Sequence, residues 1–264
     1  MRESWASGDA YERYIGRWSR PVAAEFIRWL HLPAGLAWVD VGCGTGALAS
    51  TLLQTAAPAR VRGYDLSPEH VAAARARVPD PRAEFAEADA TTLPDAAHAF
   101  DAAVSGLVLN FVPEPARAVA EMRRVVRPGG TVAAYVWDYA GEMQLIRTFW
   151  DAAVELDPAA AALDEGRRFA MCGAESLRAL WRAAGLAGVE VRAIDVPTRF
   201  ADFDDYWQPF LGGQGPAPGY AVSLDDARRE ALRERIRGRL PIAADGSITL
   251  NARAWAVRGT VPSS

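Results

Sequence analysis

The sequence predicts an α/β protein built on a doubly wound, mostly parallel sheet, and three observations carry that prediction. The first is an apolar run, Leu36 to Val41, that stops in glycines at 42, 44 and 46 before the Ala/Leu stretch Ala47 to Leu53. It reads as strand, tight turn and helix. The second is the alternation of short apolar runs with helical stretches as far as residue 137, the rhythm of a parallel sheet with crossover helices. The third is size: 264 residues, 50% of them hydrophobic, suit one α/β domain with additions.

The elements follow in order. Residues 4 to 20 are rich in aromatics and arginine, and Pro21 is expected to open a helix with Val22, Phe26, Ile27 and Leu30 on one face. Leu32-Pro-Ala-Gly35 ends it, so 1–35 forms an N-terminal segment and 36–264 the main domain. Val61 to Asp65 reads as the second strand, Glu69 to Val78 as a helix with Ser67 available to cap it, and Ala83 to Ala88 as the third strand. Phe100 to Val112 is the fourth strand and its exit. The next helix starts at Pro113-Glu-Pro115, turns Val119, Met122, Val125 and Val126 inward and stops at Arg127-Pro-Gly-Gly130. Thr131 to Val136 is the fifth strand. A helix at Ala174 to Ala184 and late strands at Val189 to Ile194 and Thr249 to Thr260 follow, with no Gly-rich turn between them.

Two insertions, at about 138–170 and 200–246, decorate this pattern. They carry Tyr139, Phe149 and Trp150, then Phe203, Tyr206, Trp207, Phe210 and Tyr220. Such dense aromatics suggest a planar or apolar ligand. Leu232, Ile236 and Leu240 form a stripe at helical spacing that reads as packing, with the arginines around it as solvated surface.

Composition excludes several classes. The net charge of −4 and pI near 5.5 give no basic face for nucleic acid. Two cysteines are too few for a disulfide framework or a zinc cluster, and Cys43 inside the glycine turn reads as a space-filler. The three histidines lack metal-ligand spacing. All 29 basic residues are arginine, which removes a lysine Schiff base and a P-loop lysine from consideration. Met1 to Tyr14 has no apolar core, and no run is long enough to span a bilayer. The expected setting is cytoplasmic, with no membrane or nucleic-acid partner.

Glycines at a strand end let backbone N–H groups and a helix N-terminus approach a ligand without Cβ atoms in the way, so the turn predicts a nucleotide-type cofactor site. Gly42, Gly44 and Ala47 also satisfy the dinucleotide fingerprint. Two features tilt the choice. Asp40, just before the first glycine, repels a pyrophosphate and attracts an ammonium group, and Gly46 adds a third glycine. Asp65 lies 19 positions after Gly46, near the spacing at which a carboxylate accepts ribose hydroxyls, and Leu66 then flanks the base.

Asp-Val-Gly-Cys-Gly-Thr-Gly, residues 40 to 46, resembles motif I of the class I S-adenosylmethionine-dependent methyltransferases, in the small-molecule branch of type 11 and quinone-biosynthesis enzymes. The resemblance covers residues 36 to 137. It implies a Rossmann-like seven-stranded sheet closed by an antiparallel C-terminal hairpin, S-adenosylmethionine as cofactor and S-adenosylhomocysteine as product. It further implies that Gly42, Cys43, Gly44 and Gly46 line the cofactor, that Asp89 and Ala90 meet its adenine, and that Ser105 lies beside its methionine half. The N-terminal segment is implied to be a lid, with Tyr14 and Arg17 toward the cofactor and Tyr11 and Trp18 toward the substrate. Asn110 and Trp137 are expected to face the methyl acceptor. The implied reaction is in-line displacement onto a small molecule, with no catalytic base identified. A nicotinamide-dependent oxidoreductase and a non-catalytic cofactor sensor stand as alternatives.

Overall fold

The computed structural model describes residues 15–213 and 215–263. In chain order the elements are α1 (Arg17–Leu30), β1 (Ala37–Val41), α2 (Ala47–Thr55), β2 (Arg60–Asp65), α3 (Pro68–Arg77), β3 (Ala83–Glu87), β4 (Phe100–Gly106), α4 (Pro115–Val125), β5 (Val126–Trp137), α5 (Gln144–Leu156), α6 (Glu165–Arg168), α7 (Ala174–Ala183), β6 (Ala187–Phe200), α8 (Phe203–Trp207), α9 (Pro216–Ser223), α10 (Asp226–Arg237) and β7 (Ile248–Thr260). Among the described residues, no helix is long and apolar enough to cross a membrane.

The strands form one seven-stranded sheet in the order β3-β2-β1-β4-β5-β7-β6. The first five are parallel, with Val41 beside Tyr64 and Asp40 beside Val104. β7 runs against its neighbours. Gly129 N–H donates to Val261 O and Val261 N–H donates back to Gly130 O, so the start of β5 meets the end of β7. Along β7 and β6, Arg258 pairs with Glu190 while Arg253 pairs with Asp195; advancing on one strand means retreating on the other. The chain leaves β1 for β2 and β3 and then crosses back to β4. The carboxyl ends of β2, β1 and β4 therefore lie side by side at a topological switch point, where open α/β sheets bind ligands.

The local chemistry explains the boundaries. Ser67 caps α3 by accepting a hydrogen bond from His70 N–H, with Pro68 in the first turn, an arrangement worth about 1 kcal/mol over an uncapped end. Ala118, Val119, Met122 and Val125 are the buried face of α4, as the spacing predicts. Three boundaries differ from expectation. α1 begins at Arg17 rather than at Pro21, so Pro21 lies inside it and supplies no N–H to the Arg17 carbonyl. β5 begins at Val126, because pairing with Val261 draws Arg127-Pro-Gly-Gly130 into the strand. β6 continues to Phe200 on a buried alternation of Ile194, Val196, Thr198 and Phe200 that outruns its apolar sequence pattern.

The chain divides into two compact units. The larger comprises Arg20–Val136, Met171–Ile194 and Ala254–Ser264, described to residue 263. Its centre is the parallel sheet, where Val39, Val41, Ala102, Ala103 and Val104 are fully buried. The smaller comprises residues 15–19 with Trp137–Ala170 and Asp195–Arg253.

Aromatic packing organises the smaller unit. Phe149 stacks on Phe210 with centroids 4.6 Å apart, Trp150 stands edge-on to Phe149 at 5.2 Å, and Tyr206 donates its hydroxyl to Leu145 O. Phe149, Trp150, Tyr206 and Phe210 are fully buried. The aromatics of the two insertions are thus a core, and their abundance says nothing about the shape of a ligand. Leu232 and Ile236 are buried as the stripe on α10 predicts. Arg147 makes two bonds to the buried Asp164, at 2.7 and 3.1 Å. The next residue, Glu165, is 3% exposed and accepts the Trp150 indole N–H; burial pushes its carboxyl up to about 7.

Candidate functional site

The turn after β1 is held by backbone bonds. Gly42 and Cys43 N–H both donate to Tyr64 O, at 2.7 and 2.8 Å, and Gly46 N–H donates to Cys43 O. Gly42, Gly44 and Gly46 all have positive φ, at 76°, 52° and 89°. Their surroundings divide them by role. A Cβ on Gly42 would run into the Val108 side chain, and one on Gly46 would sit 2.8 Å from Val78 Cγ2. Those two glycines permit close packing. A Cβ on Gly44 meets nothing within 4 Å, so Gly44 faces open space. It is the position at which a ligand can lie against bare backbone.

Asp40 is completely buried, and neither carboxylate oxygen has a hydrogen-bond partner. Burial, then the negative charge of Asp65, raise its carboxyl to about 7, and the Ala49 backbone N–H, outside hydrogen-bond geometry, offsets only part of this. A buried carboxylate without a partner is costly, and the natural remedy is a cation or a donor supplied by a ligand. Cys43 is 6% exposed, and burial followed by the charges of Asp40 and Asp65 pushes its thiol up, which removes it as a nucleophile.

Asp65 ends β2 beside the turn. Its Oδ2 accepts Gly44 N–H at 2.8 Å, and its Oδ1 accepts Ser67 N–H at 2.9 Å and faces His70 Nδ1 at 3.2 Å. Burial opposes ionisation, but these bonds hold the carboxyl below its usual range. Leu66 follows with 67% of its surface exposed, a large apolar side chain with nothing over it. At Asp89 an Asx turn forms, with Thr91 N–H and Oγ1 both on Oδ1 at 2.7 Å, which leaves Oδ2 for another donor. Ala90, next to it, is half-buried.

The exit of β4 is strained and polar. Leu107 adopts φ 62°, a conformation that side-chain-bearing residues avoid, while its N–H bonds Tyr135 O. Ser105 is fully buried and its hydroxyl has no partner. Asn110, 9% exposed on the short 3-10 turn Leu109–Phe111, leaves both ends of its carboxamide unpartnered.

Bonds and strand register therefore bring Asp40, Gly42, Cys43, Gly44, Gly46, Asp65 and Leu66 together, with Ser105 at the adjoining strand end. Tyr11 and Tyr14 lie outside the described residues. Arg17, Trp18 and Trp137 belong to the smaller unit. There, Arg17 Nη1 donates to Asp205 at 3.0 Å, and its guanidinium carbon stands 4.5 Å from the Trp18 ring centroid and 4.8 Å from that of Phe200. Arg17 Nε and Nη2 and the indole nitrogens of Trp18 and Trp137 are buried without partners. Sequence reasoning missed His70. The legible signal was Asp65-x-Ser67-x-x-His70, which places a histidine on the first turn of a helix whose cap follows the acidic residue.

A family described as a methyltransferase domain matches residues 39–134. The 2-methyl-6-phytyl-1,4-hydroquinone methyltransferase of Synechocystis sp. is 31% identical over 212 residues, covering 74% of this chain and 65% of that protein. The match thus spans just under two thirds of that relative's length. Among solved structures, phosphoethanolamine N-methyltransferase 2 of Haemonchus contortus superposes with a TM-score of 0.60 at 18% identity, over 97% of this chain and 57% of that one, and was solved with S-adenosylhomocysteine. The cyclase SpnF superposes with a TM-score of 0.53 at 22% identity, over 99% and 85%. These likenesses establish the fold, and the cyclase shows that the fold by itself does not dictate the reaction.

Proposed function

Because the chain belongs to the class I S-adenosylmethionine-dependent methyltransferases, we propose that it transfers a methyl group from S-adenosylmethionine to a small acceptor. The single observation that carries the reading is Asp40, a fully buried carboxylate with both oxygens unpartnered, beside a glycine turn that opens onto free space at Gly44. That combination fits a ligand with an ammonium group on a nucleoside. It does not suit a pyrophosphate, which two neighbouring carboxylates would repel. The antiparallel β7 also departs from the parallel continuation of a dinucleotide-binding sheet.

When bound, the cofactor supplies a methyl group already activated on a sulfonium. The chain's own residues then bind and orient. Asp40 meets the ammonium group, Asp65 accepts from the ribose, Leu66 covers the base, and Asp89 accepts from the adenine amino group through Oδ2. The Gly42-Cys-Gly-Thr-Gly46 backbone lets the ligand lie close. Ser105 borders the methionine half. Asn110, with one donor and one acceptor free, positions the acceptor, and orientation alone supplies much of the acceleration in a displacement of this kind. In the smaller unit the N–H groups of Arg17, Trp18 and Trp137 that are buried without partners can donate to oxygen atoms.

A planar acceptor is supported by the hydroquinone in the relative's name. Calorimetry with S-adenosylmethionine, S-adenosylhomocysteine and NAD, followed by turnover on a panel of phenols and hydroquinones, tests the reading. Binding of the first two and methylation of a panel member is the expected result. NAD binding without a response to S-adenosylhomocysteine sinks it, and cofactor binding without any methyl transfer favours a sensor or another reaction on this fold.

A further inference from the structure

An ionised carboxylate offers about four acceptor directions, two on each oxygen. At Asp65 three are already taken. Oδ2 holds Gly44 N–H at 2.8 Å, and Oδ1 holds Ser67 N–H at 2.9 Å and the His70 ring at 3.2 Å. One direction, on Oδ2, remains. A vicinal diol that wants both oxygens must compete for the second place. The backbone donors cannot yield, because Gly44 belongs to the turn and Ser67 is the cap of α3. The His70 side chain can. It is 38% exposed, and only its backbone N–H is tied, to Ser67 Oγ.

We propose that His70 is a positioning residue that competes with a ribose hydroxyl for Asp65 Oδ1, so that the grip on the nucleoside depends on whether His70 carries a proton. The inference rests on the cofactor reading above and adds a residue to it. A ring nitrogen facing a carboxylate bonds it only as N–H. In the imidazolium that bond is charge-assisted and hard for a neutral hydroxyl to displace. In the neutral ring the bond is weaker, and the other tautomer makes none at all. The pair favours the charged form: the hydrogen bond to Asp65 raises the His70 pKa against the effect of burial. The charged groups acting on the ring are Asp65 on β2 and Glu69 on its own helix, and Asp65 in turn raises Asp40 on β1. Protonated His70 thus guards the clamp, and loss of its proton opens it.

Proton binding and ligand binding then oppose one another. The full chain is titrated by NMR, free and saturated with S-adenosylhomocysteine, with the imidazole of His70 followed against those of His31 and His98. The ligand should lower the His70 pKa by about one unit, equivalent to a tenfold competition. A second arm uses 5′-methylthioadenosine, which lacks the ammonium group and so bypasses Asp40. Its affinity for the wild-type chain should rise roughly fivefold or more between pH 5.5 and 8, as a charge-assisted bond gives way to a neutral one. In His70→Leu it should be pH-independent and at least as tight as in the wild type at pH 8. In His70→Gln, which keeps a neutral donor, it should be pH-independent and intermediate. A His70 pKa that is unchanged or raised by ligand, or a pH slope that survives in His70→Leu, overturns the proposal. If S-adenosylhomocysteine does not bind the wild-type chain at any pH, the cofactor reading fails as well, and this one with it.

Discussion

Asp65 acts on Asp40 through charge while its own oxygens are tied, Oδ2 to the turn at Gly44 and Oδ1 to Ser67 and His70. Asp40 is left with burial, a like charge nearby and no hydrogen-bond partner, and its carboxyl rises to about 7. The two carboxylates therefore differ in kind. Asp65 is ionised and engaged, whereas Asp40 keeps its proton up to about pH 7.

The first prediction concerns stability against pH. The folded state holds the Asp40 proton more tightly than the unfolded chain, whose value is 3.8. Between about pH 4 and pH 7 the unfolded state releases that proton first, so stability falls as pH rises through this window and levels off above it. A displacement of this size corresponds to at most on the order of 4 kcal/mol. Asp40→Asn should remove that slope and be relatively more stable than wild type at pH 7.5. S-adenosylhomocysteine should stabilise the wild type more at pH 7.5 than at pH 5, because the ionised Asp40 receives its ammonium group. Denaturant titrations at both values, with and without ligand, check all three statements.

A second prediction separates the glycines. Gly44→Ala meets open space and should cost only the strain of a positive φ, about 1–2 kcal/mol, yet weaken S-adenosylhomocysteine binding at least tenfold. Gly42→Ala drives a methyl group into Val108 and should lose more stability than Gly44→Ala. Thermal midpoints and calorimetry on the two variants decide it. Equal ligand affinity in Gly44→Ala and wild type excludes Gly44 from the site.

Asn110 carries the third. Its carboxamide bonds nothing, so Asn110→Leu removes no internal hydrogen bond and should leave the thermal midpoint within a few degrees of wild type. Affinity for S-adenosylhomocysteine should stay the same. Methyl transfer, measured once a panel acceptor is found, should fall tenfold or more in kcat/KM. An unchanged kcat/KM assigns Asn110 to the fold.

The fourth tests the smaller unit. Glu165, held up to about 7 by burial, binds its proton more tightly folded than unfolded. Its contribution to stability is therefore full below about pH 4.5 and declines as pH rises toward 7. Glu165→Gln keeps an acceptor for the Trp150 indole N–H and should lose that decline. Limited proteolysis between pH 5 and 8 reports it: cleavage within 137–170 should increase with pH in wild type and remain level in the variant.

Local pattern was enough for much of this protein. The strand, glycines and helix from Leu36 to Leu53 announce a ligand turn because backbone chirality restricts positive φ largely to glycine. The buried stripe of α4 and the cap at Ser67 follow from helical period and side-chain hydrogen bonding, which are properties of a few adjacent residues. Tertiary structure decided the rest, because burial depends on what arrives from elsewhere in the chain. Aromatic composition at Phe149, Tyr206 and Phe210 reads equally as a ligand wall or a core, and only their contacts with one another distinguish the two. The order β5-β7-β6 came from pairing across more than a hundred residues, between Gly129 and Val261. The isolation of Asp40 and the hold of His70 on Asp65 were decided in the same way. A charge has no altered pKa until the fold removes its water, and an acceptor direction is free or taken only once every donor around it has been placed.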